Sequence, residues 1–359
     1  MARGVFLCAG LAVLTAGCTH DDVPRSLRLR VTPVEQLRHH ATATDPGKLQ
    51  YRGGLELQSS DRDFGGLSAL LVSPNGKDFL AVSDEAHWVT GTLQYENGQL
   101  VGAVGGQIAP MLDLSGEPLH SKAGDAEGMA SGSASGDFED IFVSFEGTHR
   151  VWRYPFAAKG VFAIPVALPL ASGVLSAPRN RGLEGITRIG DGLMLAVTER
   201  SLDLAANYRA WLLSYPPPRP RRSKDAPAAP PNLAPAREVS VVSRRPYAMT
   251  DVRQLPGGDL LTLERAFDTT RGVRVELRRF PAAVLNGGAP QEPLDGDVIA
   301  AFDANYQIDN MEGLSVRVGD RGETLVYLLS DDNFARPLQR TLLLMYELPD
   351  QPQVRDTGE

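Results

Sequence analysis

The sequence predicts an all-β fold, a β-propeller with five blades favoured and six as the alternative. Three observations predict it. A motif recurs five times, its short strands are separated by glycine-rich turns, and 36 glycines with 26 prolines give more turn punctuation than a helical bundle tolerates. The recurring unit runs from a small or acidic residue through Gly and an apolar residue into a strand. A tight turn and a second strand ending in Ser or Thr plus an acid follow. Its opening positions are 65, 127, 184, 251 and 312. A spacing near 60 residues matches one four-stranded blade.

Each strand has its own justification. The first two strands of a repeat are joined by turns such as Pro74-Asn75-Gly76-Lys77, Gly190-Asp191-Gly192 and Pro256-Gly257-Gly258-Asp259. These place Gly or Asn where positive φ is needed. The flanking runs, such as 78–82 and 192–197, have strand composition. Third strands are expected at 88–95, 149–154, 208–215, 272–280 and 340–348, and fourth strands at 99–104, 166–170, 238–243 and 298–302. The fifth repeat has no fourth strand of its own. Residues 49–57 precede the first repeat and are expected to supply it, closing the ring and removing free sheet edges. A further strand candidate, 27–34, stays unplaced and keeps the six-bladed alternative open. A large β-sandwich is the competing fold, but it requires no 60-residue period.

The domain plan follows. Residues 1–17 read as a signal peptide, 18–48 as a tether, 49–348 as one propeller domain and 349–359 as a tail. Arg3 and a short apolar run precede Leu14-Thr15-Ala16-Gly17-Cys18. This resembles a lipoprotein signal in which Cys18 is acylated; a plain secretory signal is the alternative. Either reading exports the chain. The lipoprotein reading anchors it in the periplasm, with Thr19 favouring the outer membrane, and the lipid is then its only membrane attachment. The segment 216–237, rich in proline and with Arg219, Arg221, Arg222 and Lys224, reads as an extended surface insertion between strands three and four of the third blade.

Composition excludes several function classes. The 359 residues are 42% hydrophobic and 22% charged, ordinary for a globular domain. The net charge of −8 argues against a nucleic-acid surface. Both cysteines, Cys8 and Cys18, lie at the N-terminus, so the body has no disulfide framework, thiolate zinc cluster or thiol nucleophile. No Gly-x-Ser-x-Gly elbow, phosphate-binding P-loop or His-Glu-x-x-His occurs. A monomer is expected.

Two columns of acids recur at blade positions that share one rim. One is Glu127, Glu184, Asp251 and Glu312. The other is Asp84, Glu146, Glu199, Glu264 and Asp331. Nine carboxylates at one mouth cannot all stay ionised unpaired. Arg181, Arg200 and Arg265 lie beside these motifs, and a bound cation is the other means of neutralisation. An all-oxygen donor set suits Ca²⁺, or Mg²⁺, rather than zinc. The competing reading makes the acids caps for neighbouring backbone amides. His87 and His149 follow second-column acids and are candidate proton carriers, or rim residues without a task.

These motifs resemble the bacterial phytase-like family, described as "esterase-like activity of phytase". The resemblance rests on Gly65-Gly66-Leu67-Ser68, Ser83-Asp84, Ala126-Glu127-Gly128-Met129, Ser144-Phe145-Glu146, Gly182-Leu183-Glu184-Gly185, Leu263-Glu264-Arg265, Asp309-Asn310-Met311-Glu312-Gly313 and Ser330-Asp331-Asp332-Asn333. It covers roughly residues 50–348. It implies a propeller and hydrolysis of a phosphate or other ester, with calcium held by acids of the funnel. Under it, Glu184 and Glu312 become the candidate catalytic carboxylates and Arg181, Arg200 and Arg265 the substrate-binding cations. The partner is then a small anionic ester. The alternative is a non-catalytic envelope scaffold that binds a ligand or an envelope protein.

Overall fold

A computed structural model describes residues 24–35, 46–119, 124–170, 172–175, 182–200, 207–215, 237–282 and 293–349. Cys18, Arg181 and most of the proline-rich insertion lie outside these ranges. The strands in chain order are β1 (Arg25–Ser26), β2 (Arg30–Pro33), β3 (Gln50–Gln58), β4 (Leu67–Val72), β5 (Asp78–Ser83), β6 (His87–Glu96) and β7 (Gln99–Pro110). Then come β8 (Ala126–Ser131), β9 (Ile141–Phe145), β10 (Arg150–Tyr154), β11 (Val166–Ala167), β12 (Leu183–Gly190), β13 (Leu193–Thr198), β14 (Tyr208–Ser214) and β15 (Arg237–Val241). The last are β16 (Ala248–Gln254), β17 (Leu260–Asp268), β18 (Gly272–Phe280), β19 (Asp297–Phe302), β20 (Asn310–Val318), β21 (Thr324–Asp331) and β22 (Thr341–Leu348).

They fall into antiparallel four-stranded sets, β4–β7, β8–β11, β12–β15, β16–β19, and β20–β22 completed by β3, and a parallel bridge from Gly53 on β3 to Leu100 on β7 joins the first and last sets into one sheet. β3 pairs antiparallel with β22, from Thr341 opposite Leu57 to Glu347 opposite Gln50, so the N-terminal strand finishes the C-terminal set. The expected strand at 27–34 is realised as β2 alone, and β1 lies just before it. β1 adds to the edge of β7 and β2 to the edge of β3, so neither begins a set of its own. The insertion falls between β14 and β15, the third and fourth strands of their set, where the sequence located it.

The innermost strands form a closed ring. β4 packs on β8, β8 on β12, β12 on β16, β16 on β20, and β20 on β4. Five apolar clusters fill the wedges between neighbouring sets, and each draws on both walls of its wedge. Period-two alternation explains how one strand serves two wedges. On β4, Leu70 faces the wedge shared with the last set, whereas Ala69 and Leu71 face the wedge shared with the second. Every residue of β4 is therefore buried. The result is an all-β propeller.

Candidate functional site

All five inner strands open with a β-bulge against their second strand. The register slips between Leu67 and Ala69, Ala126 and Gly128, Leu183 and Ile186, Met249 and Asp251, and Met311 and Gly313. The residue skipped, or first skipped, in each is Ser68, Glu127, Glu184, Thr250 and Glu312. A bulge re-aims one side chain out of the ladder, and here it turns Glu127, Glu184 and Glu312 into the acid cluster, whereas Ser68 and Thr250 are buried with their hydroxyls on backbone carbonyls. The Gly after Glu127 has a steric reason. A Cβ on Gly128 would collide with the Glu184 carbonyl oxygen of the next inner strand. A Cβ on Gly185 would stand 2.8 Å from the Val252 nitrogen and 2.9 Å from the Asp251 Cα, also too close.

The second column is fixed by the same register. Leu67, Ala126, Leu183, Met249 and Met311 face Ser83, Phe145, Thr198, Glu264 and Ser330. The next residue of each second strand or its exit reaches the rim: Asp84, Glu146, Glu199, Arg265 and Asp331. The equivalent rim pairs are thus Ser68/Asp84, Glu127/Glu146, Glu184/Glu199, Thr250/Arg265 and Glu312/Asp331.

Two expected ligands are corrected by this register. Asp251 and Glu264 each lie one residue away from the rim position, and a one-residue slip turns a strand side chain to the opposite face. Asp251 is buried and accepts hydrogen bonds from the backbone N–H of Val252 and Leu314 (both 2.8 Å) and from Arg253 (2.7 Å). Burial raises its pKa to about 7 despite Arg253. The Arg253 guanidinium also donates to the carbonyls of Ile186 and Leu70, linking three inner strands. Glu264 is buried against Arg278, whose Nε donates to it at 2.6 Å, and it accepts from the Thr262 hydroxyl at 3.0 Å. Asp251 has the amide-capping role that the sequence left as the competing reading, whereas Glu264 is held by an ion pair that the sequence did not foresee.

The other seven acids converge. Asp125, Glu127 and Glu146 bring carboxylate oxygens within 4.8 Å of one another, as do Glu146, Glu184 and Glu199. Side-chain hydrogen bonds join Asp125 to Glu127 and Glu146 to Glu184. Two carboxylates can share such a bond only if one holds a proton. Burial, reinforced by the neighbouring acids, pushes Glu127 and Glu184 well above the usual carboxylate range. The same two causes raise Asp84 and Glu146 to about 7. Glu312 rises to about 8, chiefly through burial and the Asp331 charge, and Asp331 to about 6. Glu312 is held by Arg265 at 3.2 Å and by the Asn310 amide at 2.8 Å. Asn310 also donates to Asp331 at 3.3 Å.

Of the expected cations, Arg265 stands in the ring. Arg200 is exposed and lies 3.4 Å from Glu199. His87 approaches Asp63 at 4.0 Å, and burial holds its pKa below the ordinary value. His149 is buried and packs against Gly182. Asp125 and Asn310 are ring members that the motif columns did not include. Both sit two residues before a bulge Glu, a spacing visible in Asp125-Ala126-Glu127 and Asn310-Met311-Glu312. Asp125 takes a φ of 45°, a left-handed conformation uncommon outside glycine and strained for this residue.

Among solved structures, similar folds include "Structure of U3-55K" (9% identity, TM-score 0.35, covering 87% of this chain and 83% of that one). "Crystal structure of RRP9 WD40 repeats" matches at 9% identity and TM-score 0.33, covering 89% and 83%. "Structure of the Neurospora crassa Pan2 WD40 domain" matches at 11% and 0.35, covering 86% and 98%. At such scores the fold description rests on the strand pairings themselves. No curated protein matches the sequence. A family model does match: Phytase-like, "Esterase-like activity of phytase", over residues 62–334. That span runs from just before the first bulge to just beyond the last rim acid and takes in the whole ring. The chain belongs to the phytase-like family.

Proposed function

We propose that this protein is a metal-dependent hydrolase of phosphate or other esters, working at the acid-lined mouth of the propeller. The observation that supports it is the ring of seven converging carboxylates, with Asp125 beside them, offset among the described residues by Arg265 and, next to Asp125, by Arg150. The donor set fits a hard divalent cation such as Ca²⁺, since every candidate ligand is an oxygen. One buried oxygen of Asp84 has no hydrogen-bond partner. A buried carboxylate oxygen in that state calls for a cation or a proton. The residues suited to hold the ion are Asp125, Glu127, Glu146, Glu184 and Glu199, with Asp84 completing the set.

A bound cation would supply charge neutralisation and Lewis-acid polarisation of the ester. The chain's own groups divide the remaining work. Glu146 and Glu184 stand within hydrogen-bond reach of each other, so whichever of the two the cation leaves free can take a proton from an attacking water and return it to a leaving group. Glu312, held by Arg265 and Asn310, orients the guanidinium toward the mouth, where it can bind an anionic oxygen. Glu312 itself, with a pKa near 8, is the second candidate for proton transfer. The family match and the rim geometry support this reading.

We further propose a cell-envelope location through acylation of Cys18, on the strength of the sequence preceding it. The test of function is hydrolysis of a panel of phosphate and carboxylate esters by the purified protein. Hydrolysis should stop with chelator, return with calcium, and be lost in Glu184→Gln combined with Glu312→Gln. Turnover that ignores both chelation and these substitutions would overturn the proposal. Calcium binding without turnover of any ester would leave a non-catalytic envelope binding protein.

A further inference from the structure

The carboxylate ring has an annex. Between the fourth and fifth strand sets lies a cleft of about 610 Å³ that shares Arg265, Asn310 and Glu312 with the ring. Its outer walls carry two large apolar side chains in water, Phe267 at 63% exposure and Leu338 at 87%. Its floor is apolar too. Tyr306 is fixed there edge-on to Phe302, with ring centroids 5.5 Å apart, and Ile308 lies beside it.

Single exposed apolar residues are ordinary. Two of them across one cleft that opens on a polar reacting centre are not. The volume suits a small organic group. Charge narrows the ligand further. Among the described residues the only cation lining the cleft is Arg265, and it already faces Glu312; Asp309 adds a second negative charge to the lining. A polyanion would meet two carboxylates and one shared arginine. An uncharged apolar group would meet Phe267, Leu338 and Tyr306.

We propose that this cleft is the subsite for an apolar, aryl or long-alkyl, portion of the substrate. The ester would carry one anionic or polar reacting group, placed between Arg265 and the acid ring, and a hydrophobic body lying toward Phe267 and Leu338. This rests on the hydrolase reading for the word substrate, but the cleft's preference for an apolar group can be measured without turnover.

The experiment is calorimetric binding of non-hydrolysable probes to the full chain in calcium. One arm compares phenylphosphonate with methylphosphonate, the other 3-phenylpropionate with acetate. In at least one arm the aromatic probe should bind about tenfold more tightly, the gain expected from burying one ring. Phe267→Ser and Leu338→Ser, both at exposed positions, should each reduce that ratio severalfold. The arm that shows the preference identifies the reacting group as phosphate-like or carboxylate-like. Equal binding of both probes in both arms overturns the subsite, as does a preference untouched by either substitution. A preference that responds to both substitutions, in a protein that hydrolyses no ester, retains the cleft and refutes the hydrolase reading instead.

Discussion

Ionisation of the rim acids is linked to stability. An acid whose folded pKa lies above its unfolded value binds more protons in the folded state. It contributes stability that is present at low pH and lost as pH rises through the folded pKa. Asp331, Asp84, Glu146 and Glu312 titrate from about 6 to about 8. The calcium-free protein should therefore melt several degrees lower at pH 8 than at pH 5.5, by scanning calorimetry in chelator. Calcium should remove most of that difference. Because the ligands must lose protons to bind it, calcium affinity should fall steeply below about pH 7 in a titration series. Substitutions should separate the two kinds of acid. Glu127→Gln or Glu184→Gln should lower calcium affinity at least tenfold and raise the melting temperature of the calcium-free protein at pH 8, by relieving repulsion. Asp251→Asn and Arg278→Met each break a buried ion pair. Each should cost about 3–5 kcal/mol in denaturant unfolding while leaving calcium affinity where it was.

The unit that makes the site is the inner strand with its opening bulge. In the second, third and fifth sets the bulge lifts a Glu to the rim, and the following glycine lets the adjacent inner strand close in. Gly128→Ala sets a Cβ against the Glu184 carbonyl, next to a proposed ligand. It should destabilise by about 1–3 kcal/mol through overpacking, read as a lower midpoint in urea. Gly257→Ala meets nothing within 4 Å and should be near neutral in the same assay. The fourth set shows how much one residue of register matters. Its rim pair is Thr250 and Arg265, where the second, third and fifth sets carry two acids. The slip that removes Asp251 and Glu264 from the rim is also what admits the ring's arginine.

At the level of the whole molecule, stability depends on closing the ring. β3 lies in the last set, and its Leu55 and Leu57 are buried in the wedge between that set and the first. A chain beginning at residue 46 should still fold, though with a lower melting temperature, because β1 and β2 add to sets that are complete without them while Leu27 and Val34 are buried in the adjoining wedges. A chain beginning at residue 59 leaves β22 as an open, apolar edge and exposes that wedge. It should fail to give a cooperative melt and should aggregate, as read by circular dichroism and size-exclusion chromatography. Such a contrast would locate ring closure in β3 rather than in the segments before it.

The sequence alone determined the all-β class, the recurrence near 60 residues, the strand that closes the ring and the position of the insertion. Each follows from local patterning: turn residues, alternation and repeated Glu-Gly-apolar signatures. It also located Asp84, Glu127, Glu146, Glu184, Glu199, Glu312 and Asp331 on one mouth. Tertiary structure decided which acids belong together. Bulges shift register by one residue, and nothing in the composition of Met249-Thr250-Asp251 says which residue is lifted out. The answer comes from pairing with Glu264 and Arg265 on the second strand. Only packing revealed that Arg253 and Arg278 neutralise the two misplaced acids, since both interactions depend on burial. The same holds for Asp125, Asn310 and the apolar cleft, which exist where neighbouring sets meet and so have no signature in any one repeat.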